Sequence, residues 1–341
     1  MNAQQTQTKI KKESKNKIRV DFDRTSRWTR FKIKYLSASF LGQVIFKLFR
    51  LVLLLGISYV ILFPFFSKIA SSFMSPSDFV DVTVKLIPKN PTLNTYKQII
   101  RENNYFEALF NTAVLSLLCA VIQTFICCII GYGFGKYRFK GSKLLFACVL
   151  LTMIVPHKIL QFSLFNEFRY FDIYGIIKAI TGKTIKLTGT YWPLAILSFT
   201  GLAFKNGLYI YMMRQFFRGV PDELEESAYI DGSGVFRTFI QIIIPLSIPM
   251  MITIFLFSFS WQWTDNFYTT LLIPGTAKSI KLLPSIIEVP KTLDTNYAGG
   301  NLYTSAIRNT CGLLIIAPLI LIYMFCQRYL IQGIERSGIT G

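Results

Sequence analysis

Three long stretches of this chain carry no charged side chain: Ala108–Gly135, Thr238–Thr264 and Asn309–Gln327. They constrain the fold more than any other feature. A bilayer core takes about 20 consecutive, mostly apolar residues as helix, and the helix satisfies every backbone polar group within the segment. A helix in a soluble core rarely stays uncharged for so long. The six cysteines (Cys119, Cys127, Cys128, Cys148, Cys311, Cys326) all fall inside apolar runs, and none has Cys-x-x-Cys spacing. They read as small buried hydrophobes, neither disulfides nor metal ligands. The expected class is an all-α polytopic membrane protein.

Charge placement orders the spans. The chain holds 37 Lys+Arg against 18 Asp+Glu. Residues 1–47 form a strongly basic tail with a span directly behind it. Such a tail is read as cytoplasmic and facing anionic headgroups, not nucleic acid. Trp28 to Phe46 mixes aromatics with Lys and Arg and is expected to lie along the membrane surface. No cleavable signal peptide is expected, because the first apolar run begins only near Leu48. The first transmembrane helix is placed at 48–71 and an external segment at 72–106. A core at 107–327 then holds spans at about 107–134, 144–165, 189–213, 238–264 and 302–327. A cytoplasmic tail at 328–341 closes the chain. Lys136–Lys143, Arg214, Arg218, Arg237, Arg328 and Arg336 fall on the inside under this six-span scheme. The scheme predicts both termini in the cytoplasm of a bacterial cell with the chain in its inner membrane.

One loop of the core, 214–241, stands apart. Between two apolar runs it crowds five acids: Asp222, Glu223, Glu225, Glu226 and Asp231. Pro221 suits a first helical position, and Asp222 and Glu223 suit the positive end of a helix dipole. Val220, Leu224 and Ala228 recur at i, i+4 as one narrow apolar stripe. Asp231-Gly232 reads as a helix stop, and Ser233 as a cap for the next helix. The prediction is two short helices with a sharp turn, shaped to sit in another protein's groove. Glu223 and Glu225 read as a solvated helix face.

Glu226-Ser-Ala-x-x-Asp-Gly232, nine residues, then Ile242-x-Ile-Pro245 resembles the cytoplasmic loop of binding-protein-dependent ABC importer permeases. Ser227 and Ile244 stand where that family has Ala and Leu. The resemblance covers roughly 105–341. It includes Asn111-Thr112, Tyr132 to Gly141, and Met212-Met-Arg-Gln-Phe-Phe217. Gln327-Arg-Tyr-Leu-Ile-Gln-Gly333 is similar to the carbohydrate branch, in particular its smaller, maltose-type permease subunit. That branch usually ends Gly-x-x-Lys-Gly, where this chain ends Ser337-Gly-Ile-Thr-Gly341.

The resemblance implies a translocation subunit for a carbohydrate, namely an oligosaccharide. It implies as partners a second homologous permease, two ATP-binding subunits and an external substrate-binding protein. Glu226, Ser227, Ala228, Asp231, Gly232, Ile242 and Pro245 would form the ATPase-coupling element. Glu226 would meet a basic side chain in the ATPase cleft, and Gly232 would set a turn where a side chain clashes. The chain has no Gly-x-x-x-x-Gly-Lys-Ser/Thr run, so no cofactor is expected on it, and ATP-Mg is expected on the partner ATPases.

Polar residues inside spans face cavities or partners, or reach the interface by snorkelling. His157 and Lys158 after Pro156, Lys205 and Arg308 are therefore candidates to line the pathway. His157 is the sole histidine, which excludes a multi-His metal site in this chain. Trp192, Trp261 and Trp263 are read as an interfacial belt, although a sugar path uses the same residue type. A permease for another solute and a self-sufficient secondary transporter are the competing readings. The second would need no acidic docking loop.

Overall fold

The computed structural model describes residues 38–274, 280–285 and 288–336, together with Trp28. Most of the basic tail and the segment after Arg336 lie outside the described residues. The chain divides into two units, Met1–Ser67 and Lys68–Gly341. Among the described residues the architecture is helical, and the β structure amounts to one isolated antiparallel bridge, Phe171–Ile185. Most of the first helix, α1 (Ala38–Ser72), belongs to the first unit.

Three further helices of the second unit are long and apolar. They are α3 (Tyr105–Lys136), which follows the short α2 (Asn94–Glu102), the helix that runs continuously over Val235–Thr264, and the last helix, Gly300–Arg336. With α1 they make four helices long and apolar enough to cross a membrane. They coincide with the spans expected at 48–71, 107–134, 238–264 and 302–327.

The remaining two expected spans take broken forms. Where span 3 was expected stands a bent pair, α4 (Ser142–Ile154) and the stretch His157–Arg169, which turns by 92°. Its second limb ends in α5 (Gln161–Arg169), and the short α6 (Ile176–Thr181) follows. The break has a local cause. Val155 precedes Pro156, and a residue before proline is pushed out of the helical region. Val155 and Pro156 are both extended, with ψ of 122° and 120°.

Where span 4 was expected stand two short helices, α7 (Trp192–Phe199) and α8 (Asn206–Arg218). A left-handed Gly201, φ 74°, stops α7. Leu202 N–H bonds the Leu197 carbonyl at 3.0 Å and Gly201 N–H bonds that of Ser198 at 3.4 Å. This is the glycine-terminated Schellman arrangement.

The core is built on α3. Gly131 and Gly135, four apart on one face, let α8 approach closely. A Cβ on Gly131 would lie 2.4 Å from the Met213 Cβ, and one on Gly135 2.9 Å from the Phe217 Cβ. Cys127, Tyr132, Tyr209, Met213, Phe217, Met250 and Ile254 fill the resulting interior. Cys119, Cys127, Cys128 and Cys311 are buried free thiols, as expected, whereas Cys148 is exposed. A buried polar link crosses the same bundle. Gln123 Nε2 donates to Ser198 Oγ at 3.1 Å, and Ser258 Oγ donates to Gln123 Oε1 at 2.7 Å. Satisfied on both ends, it fixes the register of three helices. Trp263 is no interfacial residue: it is buried, and its indole N–H donates to the Ile315 carbonyl at 2.8 Å.

Candidate functional site

The acidic stretch folds as two short helices, α9 (Glu223–Ile230) and α10 (Val235–Thr238). The first starts later than its proline suggests, because Asp222 is its N-cap residue. Asp231-Gly232 ends it. Gly232 adopts φ 81°, its N–H bonds the Tyr229 carbonyl at 3.0 Å, and Ser233 N–H bonds that of Ala228 at 2.9 Å. Glycine is needed there for conformation and not for space, since an added Cβ would meet nothing within 4 Å. Among the described residues of this chain, no neighbour stands where that Cβ would clash. Ser233 does not cap α10; Gly234 occupies that position.

Helix α11 (Ile244–Thr264) follows through a π-helical turn, Phe239–Ile243. Pro245 has no N–H for the Gln241 carbonyl, so the regular ladder is interrupted there. Ile242 is half-buried and Pro245 exposed.

The inward stripe differs from the sequence expectation. Val220 and Ala228 are buried, but Leu224 is exposed, and the third buried member is Glu225. Its position, three before Ala228, places it on that face. Tyr132 Oη donates to Glu225 Oε2 at 3.1 Å, and Lys136 Nζ stands 3.7 Å from Oε1. The same ammonium donates to the Val220 carbonyl at 2.6 Å and to Asp222 Oδ1 at 2.5 Å. The hydrogen bond from Lys136 holds the Asp222 carboxyl below its usual range. Lys136 thus pins the start of α9 to the end of α3. Its signal in the sequence was weak, because the basic loop that begins at Lys136 reads equally well as a topology marker.

Outside that clamp, α9 and α10 present a free surface. Glu226 is exposed, and among the described residues its carboxylate has no ion pair. Ser227 is exposed and its hydroxyl donates to the Leu224 carbonyl, while Asp231 is exposed at the helix end. Around them stand exposed apolar side chains, with Ile230 86% and Phe236 75% accessible, joined by Val235 and Tyr229.

The break between α4 and His157 and the break between α7 and α8 converge on a second feature. His157 Nδ1 and Tyr268 Oη are 2.8 Å apart, and the His157 ring meets Phe204 edge-on at 4.7 Å. Lys205 Nζ lies 4.6 Å from the ring centroids of both Phe204 and Trp261. Lys205 has a left-handed backbone, φ 71°, rare for a side-chain-bearing residue and common where local strain serves a site. His157, Phe204, Trp261 and Tyr268 border a cavity of about 460 Å³, whose wall also includes Lys158, Asp265 and Phe267. A smaller one of about 100 Å³ adjoins it at His157 and reaches Lys205. The structure therefore brings His157, Lys158 and Lys205 together. Arg308 is exposed on α13 (Gly300–Arg336) and lines neither cavity.

Residues 127–336 match the family described as binding-protein-dependent transport system inner membrane component. The match covers more than half of the chain. The chain belongs to this family. The protein is thus an inner membrane component of a transport system. It is 28% identical over 307 residues to the arabinooligosaccharides transport system permease protein AraQ of Bacillus subtilis, covering 87% of this chain and 98% of that one. It is 27% identical to the galactooligosaccharides transport system permease protein GanQ of the same organism, over 86% of this chain and 95% of that one. A chain from the crystal structure of a bacterial ABC transporter for import of the acidic polysaccharide alginate superposes with a TM-score of 0.62 at 20% identity. That match covers 84% of this chain and 97% of the other, and shows a shared fold.

Proposed function

We propose that this inner membrane component is the translocation subunit of an ATP-driven importer for oligosaccharides delivered by an external binding protein. In this reading the chain crosses the membrane six times, with both termini cytoplasmic, the bent and broken segments serving as spans 3 and 4. The relatives AraQ and GanQ, named for oligosaccharide transport and matched along nearly their whole length, support the substrate class. A second permease completes the pathway, and two ATPase subunits supply the energy.

The loop 214–245 couples the two. The observation that carries this role is its divided surface. One face of α9 is fastened to α3 through Lys136, while the other offers Glu226, without an ion pair among the described residues, beside exposed Ile230 and Phe236. Exposed apolar groups beside a charge mark a protein-docking patch. A docked helix fastened to a long membrane helix transmits rigid-body motion of the ATPases to the pathway.

Glu226→Ala tests this. Loss of a partly desolvated partner to an ATPase cation costs about 2–5 kcal/mol. Sugar uptake and sugar-stimulated ATP hydrolysis are expected to fall together while the complex still co-purifies. Unchanged uptake would remove the docking role.

A further inference from the structure

The two cavities that share His157 combine the aromatic wall and Lys158 of the larger with Lys205 of the smaller. Among the described residues the ion pairs are Lys89–Asp81, Lys136–Asp222 and Lys136–Glu225. Neither Lys158 nor Lys205 takes part in one. The nearby carboxylate does not serve them. Asp265 caps α12 (Phe267–Leu272), with Oδ1 accepting from the Phe267 and Tyr268 N–H groups and Oδ2 from that of Thr269 at 2.8 Å. Lys205 instead rests on Phe204 and Trp261, a geometry that steadies an ammonium without neutralising it. Charges at membrane depth are kept where a cavity, a partner or a substrate meets them.

The aromatic groups restrict what that substrate is. Phe204, Trp261, Phe267 and Tyr268 all border the larger cavity. Flat rings offer stacking surface to the C–H faces of a pyranose, and Asn266 and His157 add hydrogen-bonding groups on the same wall. Its volume of about 460 Å³ lies within the range of sites for small ligands. A neutral sugar would use the rings and leave two ammonium groups uncompensated. A free phosphate or a lipid headgroup would use the ammonium groups and leave the rings idle. A sugar that carries a carboxylate uses both.

We infer that this cavity and the smaller one that shares His157 with it receive uronate-bearing oligosaccharides, with the rings and Lys158 of the larger cavity and Lys205 of the smaller one meeting the sugar faces and the carboxylates. The inference rests on the importer reading and adds the substrate class to it.

The test uses the assembled importer without its external binding protein, in phosphatidylcholine nanodiscs. Trigalacturonate and galactotriose are titrated by calorimetry, with tryptophan fluorescence as a second readout. Each charge-assisted contact is worth about tenfold in affinity, so trigalacturonate is expected to bind at least about tenfold more tightly than galactotriose. The double variant Lys158→Gln, Lys205→Asn should erase that gap and leave galactotriose binding intact; asparagine tolerates the left-handed backbone at 205. Equal affinities in the unmodified importer, no binding of either sugar, or a gap that survives in the double variant would each overturn the inference. So would loss of trigalacturonate binding when phosphatidylglycerol is added to the nanodisc, which would assign the lysines to lipid. ATP-driven uptake of neutral oligosaccharides by the complete system separates the two levels. If it persists while the inference fails, the importer reading stands; if no sugar is taken up, that reading fails too.

Discussion

Glu225 offers the sharpest test of how the loop 214–241 is held. Its carboxylate accepts a hydrogen bond from Tyr132 and lies 3.7 Å from Lys136 Nζ, with the two side chains only 11% and 6% accessible. At that distance two unit charges attract by about 4–5 kcal/mol at an effective dielectric of about 20, and desolvation of both groups takes back much of it. A hydrogen bond to a charged acceptor adds about 1.5–3 kcal/mol. Removing one partner leaves Tyr132 and Lys136 underserved, which places Glu225→Ala at about 3–5 kcal/mol of destabilisation. Glu223→Ala, on the exposed face, should stay within about 0.5 kcal/mol. The assay is equilibrium unfolding of the purified complex in mixed detergent. Glu225→Gln, which removes the charge and keeps an oxygen for Tyr132, is combined with Lys136→Met in a double-mutant cycle. A coupling energy of about 1–3 kcal/mol is expected. Additive variants, or a Glu225→Ala no worse than Glu223→Ala, would refute the clamp.

Three further outcomes follow from the same geometry. Gly131→Ala should destabilise by about 1–3 kcal/mol in thermal unfolding, because its Cβ would collide with Met213, while Gly133→Ala, with nothing within 4 Å, should be tolerated. Gly232→Ala should cost about 1–2 kcal/mol through its positive φ alone, and Gly232→Asn distinctly less, as unfolding midpoints would report. The Asp222 carboxyl is held below its unfolded pKa by Lys136, so its contribution is present above the usual carboxylate range and is lost as pH falls through the lowered folded value. Stability measured from neutral pH downward should therefore fall less steeply in Asp222→Asn below about pH 4.

The long uncharged runs made the membrane helices legible, because that pattern has few alternative folds. The helix-turn-helix of the coupling loop was legible for a similar reason: Asp231-Gly232 fixes its stop by local stereochemistry. The breaks were less so. Pro156 announced the bend in span 3, but its 92° angle depends on packing. Gly201 gave no comparable warning in span 4, since a lone glycine inside an apolar run is common. Glu225 was misread because charge outweighed position. Its place on the Ala228 face pointed inward, and the compensating cation lies 89 residues earlier, at Lys136.

That long-range pairing links the two candidate sites mechanically. Lys136 ends the same helix, α3, whose middle carries Gln123, and Gln123 bonds Ser198 on α7 and Ser258 on α11. Trp261 lies three residues beyond Ser258, and Phe204 lies in the turn between α7 and α8; both border the cavity. A displacement of α9 is thus delivered to α3 through a buried cation, and from α3 to the cavity wall through a buried amide. Close-packed glycine contacts at Gly131 and Gly135 leave α8 little freedom to slip past α3. The loop 214–241 and the cavity are therefore two ends of one stiff element, and, if the proposed docking on an ATPase holds, the loop would move the cavity with it.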